Sequence, residues 1–408
     1  MSQLSRRPLR AATQCALLAL WVLVVAAAAQ DEGGVVRSSA DYVYGQTMRF
    51  HLNATGIGKV EDITLFLRLG TSSDTFSVDM GMPESPGIDV GYTLDLTQTR
   101  LPPFTTITYW WEIERPGDTL QVPEQVITYV DDQFNWSQLI ETDGRGGGSI
   151  RFHWTGEGER PGELARDLVL EMLPPIGRSL PLQEVLPFDV YLYPSSSDLS
   201  AALRLAGREY SPGQTFPDLG VVLVTVVNPA TAEPELRQGL SRGLVDLLLY
   251  QALGQFSYDV PPWLSRGIAG VARGVPDVTL DNALRAALSS EITLPVPELC
   301  AGQPVDTDLA AAQSEALVAY IAQSYGDEAI RALVMAFAEG DDCPAALRRV
   351  IQLTPDQLEA AWLRSLRTGE GGRSAAELVV WGTLLVAGFG LAGLLLWRGR
   401  SERAQGHS

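Results

Sequence analysis

Residues 240–274 read LSRGLVDLLLYQALGQFSYDVPPWLSRGIAGVARG, and the rest of the chain is best placed relative to them. Leu240, Leu244, Leu247 and Leu248 recur at helical spacing and Gly254 is suited to end the run, so Leu240–Leu253 is expected as one helix. Gln255–Val260 reads as a loop. Pro261-Pro262-Trp263 then opens a second helix, with Pro262 in the first turn, where a missing N–H costs nothing. The stretch contains no histidine; the whole chain has only His51, His153 and His407.

On a helix that carries H-E-x-x-H, two His at i and i+4 share one face and ligate zinc, while the Glu between them is the general base. The stretch resembles the peptidase MA-like, gluzincin-type zinc metallopeptidases. Their pattern is H-E-L-x-H-x-x-L-x-Q, a Gly, a short loop, then P-x-W-L-x-E-G-L-A. Leu244, Leu249, Gln251, Gly254, Pro261, Trp263, Leu264, Gly267 and Ala269 match it. In that register Arg242 stands at the first His, Gly243 at the base, Asp246 at the second His and Arg266 at the third ligand, a Glu in the family. The resemblance therefore implies a degenerate member with no catalytic residue, no metal and no cofactor.

If the fold is kept, Arg242, Asp246 and Arg266 converge on one point. A carboxylate between two guanidiniums accepts charge-assisted hydrogen bonds, so an ion-pair staple between the two helices is one expectation. Three charges facing solvent is the other. The trio's net positive charge also leaves room for a weak anion or carboxylate site. Replacement chemistry finds little support: Ser241, Ser257 and Ser265 have no histidine nearby, G-x-S-x-G is absent, and a Ser–Lys pair would need Lys59, the only lysine.

Upstream, Met48–Ala54, Ile63–Leu69, Thr75–Met80, Gly91–Leu96, Thr105–Glu114 and Gln121–Tyr129 read as strands separated by turn residues. Residues 30–130 are thus expected as a β-sandwich of immunoglobulin or fibronectin type. Residues 131–149, ending in a glycine-rich run, read as a linker. From 150 the order is strand (Ile150–Trp154), helix (Glu163–Leu173), strand (Phe188–Tyr193), a helix opened by Ser197-Asp198, and a buried strand (Leu219–Val227). The two central helices follow, then a helical remainder to Leu366. This is an α+β layout, and the family resemblance covers 150–366 as a zincin-like domain ending in a small helical bundle.

Residues 1–29 read as a secretory signal peptide. Residues 367–377 form a tether, and Leu378–Trp397 is apolar and uncharged over a length that spans a bilayer. Arg398, Arg400 and Arg403 follow, which places the tail, 398–408, in the cytoplasm. The expected protein is single-pass in the cell membrane with its mass outside, in a bacterium with a GC-rich, arginine-biased genome. In such an oxidising compartment Cys300 and Cys343 suggest a disulfide, with two buried thiols as the alternative. A net charge of −19 disfavours nucleic acid as a partner. Together these readings point to a membrane-anchored pseudopeptidase that binds a protein or peptide in the former substrate cleft, the bilayer being its other partner. An active hydrolase with unrecognised ligands and a purely structural surface protein are the alternatives.

Overall fold

The computed structural model describes residues 34–70, 72–82, 87–142, 148–209, 213–228, 232–301 and 307–366. The expected signal peptide, tether, membrane span and tail lie outside them. Among the described residues no helix is long and apolar enough to cross a membrane.

The N-terminal part runs β1 (Val35–Val43), β2 (Thr47–Thr55), β3 (Asp62–Leu69), β4 (Thr75–Asp79), β5 (Ile88–Asp95), β6 (Thr105–Arg115) and β7 (Asp118–Tyr129). The strands pair antiparallel as two sheets, β1-β2-β5 and β4-β3-β6-β7. Period-two alternation builds both. Strand β2 turns Met48, Phe50, Leu52 and Ala54 inward, β6 does the same with Ile107, Tyr109, Trp111 and Ile113, and all of them meet in one core. The Trp111 indole N–H donates to Ser38 Oγ at 3.1 Å and so links the two sheets. Strand β1 is absent from the sequence expectations because it is an edge strand: it buries no residue fully, and its apolar signal is weak.

Next come β8 (Trp136–Thr142), β9 (Ser149–Thr155), α1 (Arg160–Ser179), β10 (Phe188–Tyr193), α2 (Ser196–Leu205), β11 (Gln214–Phe216) and β12 (Val221–Thr225). They form one sheet in the order β11-β12-β10-β9-β8, parallel in the middle with an antiparallel strand at each edge. Strand β8 lies inside the stretch expected as a linker. Its burial pattern is shallow, so the strand rests on backbone pairing to β9 and leaves little trace in the sequence. Helix α1 runs on through Pro174 and Pro175 to Ser179, because its buried face, from Leu168 through Met172 to Ile176, continues across them.

The remaining helices are α3 (Glu233–Leu253), α4 (Pro262–Ala272), α5 (Val278–Ser289), α6 (Val296–Cys300), α7 (Asp308–Tyr325), α8 (Asp327–Ala338), α9 (Cys343–Ile351) and a last one over 355–366. Helix α3 starts at Glu233, ahead of Leu240. A proline in its first turn and Glu233 and Glu235 near its N-terminus favour that start electrostatically and sterically. Cys300 and Cys343 are joined by a disulfide, Cα to Cα 5.6 Å, which ties α6 to α9. Helices α1 and α3 cover one face of the sheet in the largest core. The other face packs Tyr191, Tyr193, Leu223 and Phe216 against α2 and against Phe104 from the N-terminal part. Phe104 adopts a left-handed backbone (φ 70°), uphill for an aromatic residue, and its ring stacks on Tyr191 with centroids 3.6 Å apart.

Candidate functional site: the cavity between helices α3 and α4

Helix α3 presses closely on β11 and β12. A Cβ at Gly243 would lie 2.5 Å from Val222 Cγ1, and Thr215 Oγ1 donates to the Gly243 carbonyl at 3.1 Å. Val222 is β-branched and fully buried, so it has little freedom to yield. The position that carries the general base in the resemblance is therefore given over to helix–sheet packing. Helix α4 meets α7 as tightly. A Cβ at Gly267 would lie 2.3 Å from Val318 Cγ2 and 2.5 Å from the Ser314 carbonyl oxygen, so this crossing requires glycine.

Between α3, α4 and the edge strand β11 lies a cavity of about 410 Å³. Arg242 and Asp246, one turn apart on α3, line it together with Arg266 of α4. The three positions singled out from the sequence thus border one space. Arg208, Tyr258 and Ser265, which sequence reasoning did not select for this role, border it too. Arg208 precedes β11 and reaches the cavity only because the chain folds back at the sheet edge. Its guanidinium donates to the Thr215 carbonyl at 2.8 Å and lies 4.4 Å from the centroid of the Phe216 ring.

The Asp246 carboxylate is open to the cavity yet ringed by protein. That enclosure pushes its pKa up to about 6, while Arg266 and then Arg242 pull it back down. The net rise means that loss of water outweighs the attraction of the two guanidiniums.

Two other arginines brace the cavity walls. Arg237 of α3 donates to Glu171 of α1 at 2.9 and 2.8 Å, to Glu233 at 2.9 Å and to the Arg273 carbonyl at 3.2 Å. The Arg237 guanidinium beside Glu171 holds that carboxyl below its ordinary range. Arg273, at the end of α4, donates to Glu315 of α7 at 3.0 and 2.8 Å and to the Val275 carbonyl at 3.0 Å. Burial raises the Glu315 carboxyl despite Arg273 beside it. Only the Glu233–Arg237 spacing was available in the sequence as a clue; Glu171 and Glu315 are distant partners.

The described histidines lie elsewhere. His51 pairs with Asp89 on the sandwich surface at 2.7 Å. His153 bonds Asp189 at 2.7 Å, stacks on Tyr191, and shares Asp189 with Arg151. Burial alone would raise the Asp189 carboxyl; His153 and Arg151 bring it below its ordinary value.

The residues that the resemblance sets at the ligand positions, Arg242, Asp246 and Arg266, do not fit zinc. A protonated guanidinium has no lone pair to give and repels the ion, and Asp246 alone is one ligand where at least three are needed. Among the described residues no cluster of three or more His, Cys, Asp or Glu is placed to hold a metal.

This α+β domain packs α3 on β11 and β12 with α4 beside it, and carries Arg242, Asp246 and Arg266 where the resemblance expects zinc ligands. Residues 177–368, a little under half of the chain, match the family model of the Peptidase MA superfamily, and they contain no H-E-x-x-H. Among solved structures, the M1 zinc metallopeptidase of Deinococcus radiodurans, as a mutant bound to a Tyr-Ser-Ala substrate, is similar at 12% identity and a TM-score of 0.38, over 78% of this chain and 90% of that one. An aminopeptidase N family protein from Idiomarina loihiensis is similar at 8% identity and a TM-score of 0.29, over 80% of this chain and 70% of that one. A search of curated proteins found no match.

Proposed function

We propose that this is a non-catalytic, membrane-anchored protein whose peptidase MA-like domain binds a protein or peptide partner in the former substrate cleft. One observation carries the reading: the cavity is lined by Arg242, Asp246 and Arg266, the residues that the resemblance sets at the ligand positions, and its described lining offers Asp246 as its only carboxylate and no set of metal ligands. Without a metal-activated water or a replacement nucleophile, peptide hydrolysis has no agent. The cavity remains open, which favours binding over a purely structural surface role. The N-terminal sandwich, read as immunoglobulin- or fibronectin-like, would space or supplement the binding domain. The sequence from Leu378 to Trp397 and the arginines after it support a single span with the tail inside the cell.

The test is the zinc content of the purified full-length chain after exposure to zinc and desalting. The expected result is less than about 0.1 zinc per chain, given that structural and catalytic zinc sites take three or four protein ligands. Stoichiometric, tightly held zinc would favour the alternative, an active metallopeptidase with unrecognised ligands.

A further inference from the structure

Most of the molecule's surface charge is negative, with a net charge of −19, yet one cavity gathers cations. Arg208, Arg242 and Arg266 border it against Asp246, the one acidic residue in its described lining. Arg208 is not a loose surface charge: its bond to the Thr215 carbonyl and its seat over the Phe216 ring hold the guanidinium at the edge of the cavity. Ser257 and the Tyr258 phenol add neutral polar groups, while the Ser265 hydroxyl donates to the Pro262 carbonyl at 3.3 Å. At about 410 Å³ the space is within the range of small-ligand pockets and much larger than a single ion requires. Tyr258 of that lining is 72% exposed, and Phe256, two residues earlier, is 52% exposed, so large rings face solvent on this segment. Asp218 acts on the Tyr258 phenol from outside the described lining.

The geometry points to a carboxylate-binding site: we infer that the place of the zinc is taken by an arginine cluster that anchors a carboxylate of a bound peptide. The inference rests on the peptide-binding reading above and adds the chemistry of the anchor. Guanidiniums match the planar, two-oxygen geometry of a carboxylate. A polyanion such as nucleic acid would meet the protein's overall negative field, whereas one carboxylate carries a single charge into a local positive pocket. The carboxylate can come from a chain end or from an aspartate or glutamate side chain.

Three probes separate these sources on the purified full-length chain, by isothermal titration at low salt. They are acetyl-Ala-Ala-Tyr with a free C-terminus, the same peptide as its amide, and acetyl-Ala-Glu-Tyr-amide. At least one acid probe is expected to bind tenfold or more tighter than the neutral amide, the range of charge-assisted hydrogen bonds. The stronger of the two names the source. Arg266→Gln or Arg242→Gln should abolish the preference, Arg266→Lys should keep part of it, and Asp246→Asn should increase it. Should the glutamine variants fail to fold, Arg208→Gln on the exposed edge should weaken the preference, and raised salt should erode it in the unmodified chain. Equal affinity for all three probes overturns the carboxylate anchor and leaves the peptide-binding reading standing. No binding by any probe overturns both. Cleavage of the probes, together with stoichiometric zinc, overturns the non-catalytic reading on which the inference rests.

Discussion

At Asp246 two effects oppose each other, enclosure by protein and attraction to Arg266 and Arg242, and enclosure is the larger. The folded state therefore holds this proton more tightly than the unfolded chain, which titrates near 3.8. Stability contributed by this group rises as pH falls from about 6 towards 4, and at pH 7 the ionised carboxylate is a net cost. Because the group is open to the cavity, screening keeps that cost below about 1 kcal/mol. Asp246→Asn is thus expected to melt at the same temperature as the parent or higher at pH 7, with the gap closing by about pH 4. Melting curves across that range check it. A variant that melts several degrees lower at pH 7 would instead make the trio an ion-pair staple.

At the scale of elements, the cavity keeps its shape because four helices are cross-linked by buried arginines. Arg237 joins α3 to α1, and Arg273 joins α4 to α7. The Arg273 guanidinium is 6% exposed, so removing its carboxylate leaves a charge with little water to compensate it. Glu315→Leu and Arg273→Met are each expected to destabilise the protein, Glu315→Leu by about 3 kcal/mol. The double variant Arg273→Met with Glu315→Leu should recover most of that loss, since an apolar pair escapes the desolvation cost. Chemical denaturation of the two single variants and the double gives the coupling directly. A double variant as unstable as the worse single would refute the account. Gly267 belongs to the same joint, since α4 and α7 approach closely enough to exclude any side chain there.

For the whole molecule, the sandwich and the peptidase-like domain are packed together through Phe104, Tyr191, Trp136 and Phe134. Tyr193 adds a hydrogen bond of 3.1 Å from its hydroxyl to Asp131, which is 1% exposed. Truncating Phe104 opens a void under this aromatic cluster, and alanine, which keeps its Cβ, is no better suited to the left-handed backbone there. Phe104→Ala is expected to cost about 3 kcal/mol and to split one calorimetric transition into two, as the domains melt separately. A single transition at an unchanged temperature would show that the two parts are not coupled there.

Local chemistry made a good share of this readable from the sequence. The alternation of Met48–Ala54 and Thr105–Glu114 marks strands because one sheet face is buried, and the leucine spacing after 240 marks a helix for the same reason. The matches at Leu244, Gln251, Trp263 and Gly267 pointed to the Peptidase MA superfamily, whose model matches residues 177–368. Strands β1 and β8 were not legible, since neither buries a residue fully, and β11, at three residues, is too short for an alternation to show. Nor could the sequence bring Arg208 to the cavity, pair Arg237 with Glu171 or Arg273 with Glu315, or place Val222 against Gly243. Those depend on residues far apart in the chain meeting at one packed joint. The sequence fixes which charges are present; only the folded walls determine how much water they keep, and so which way Asp246 titrates.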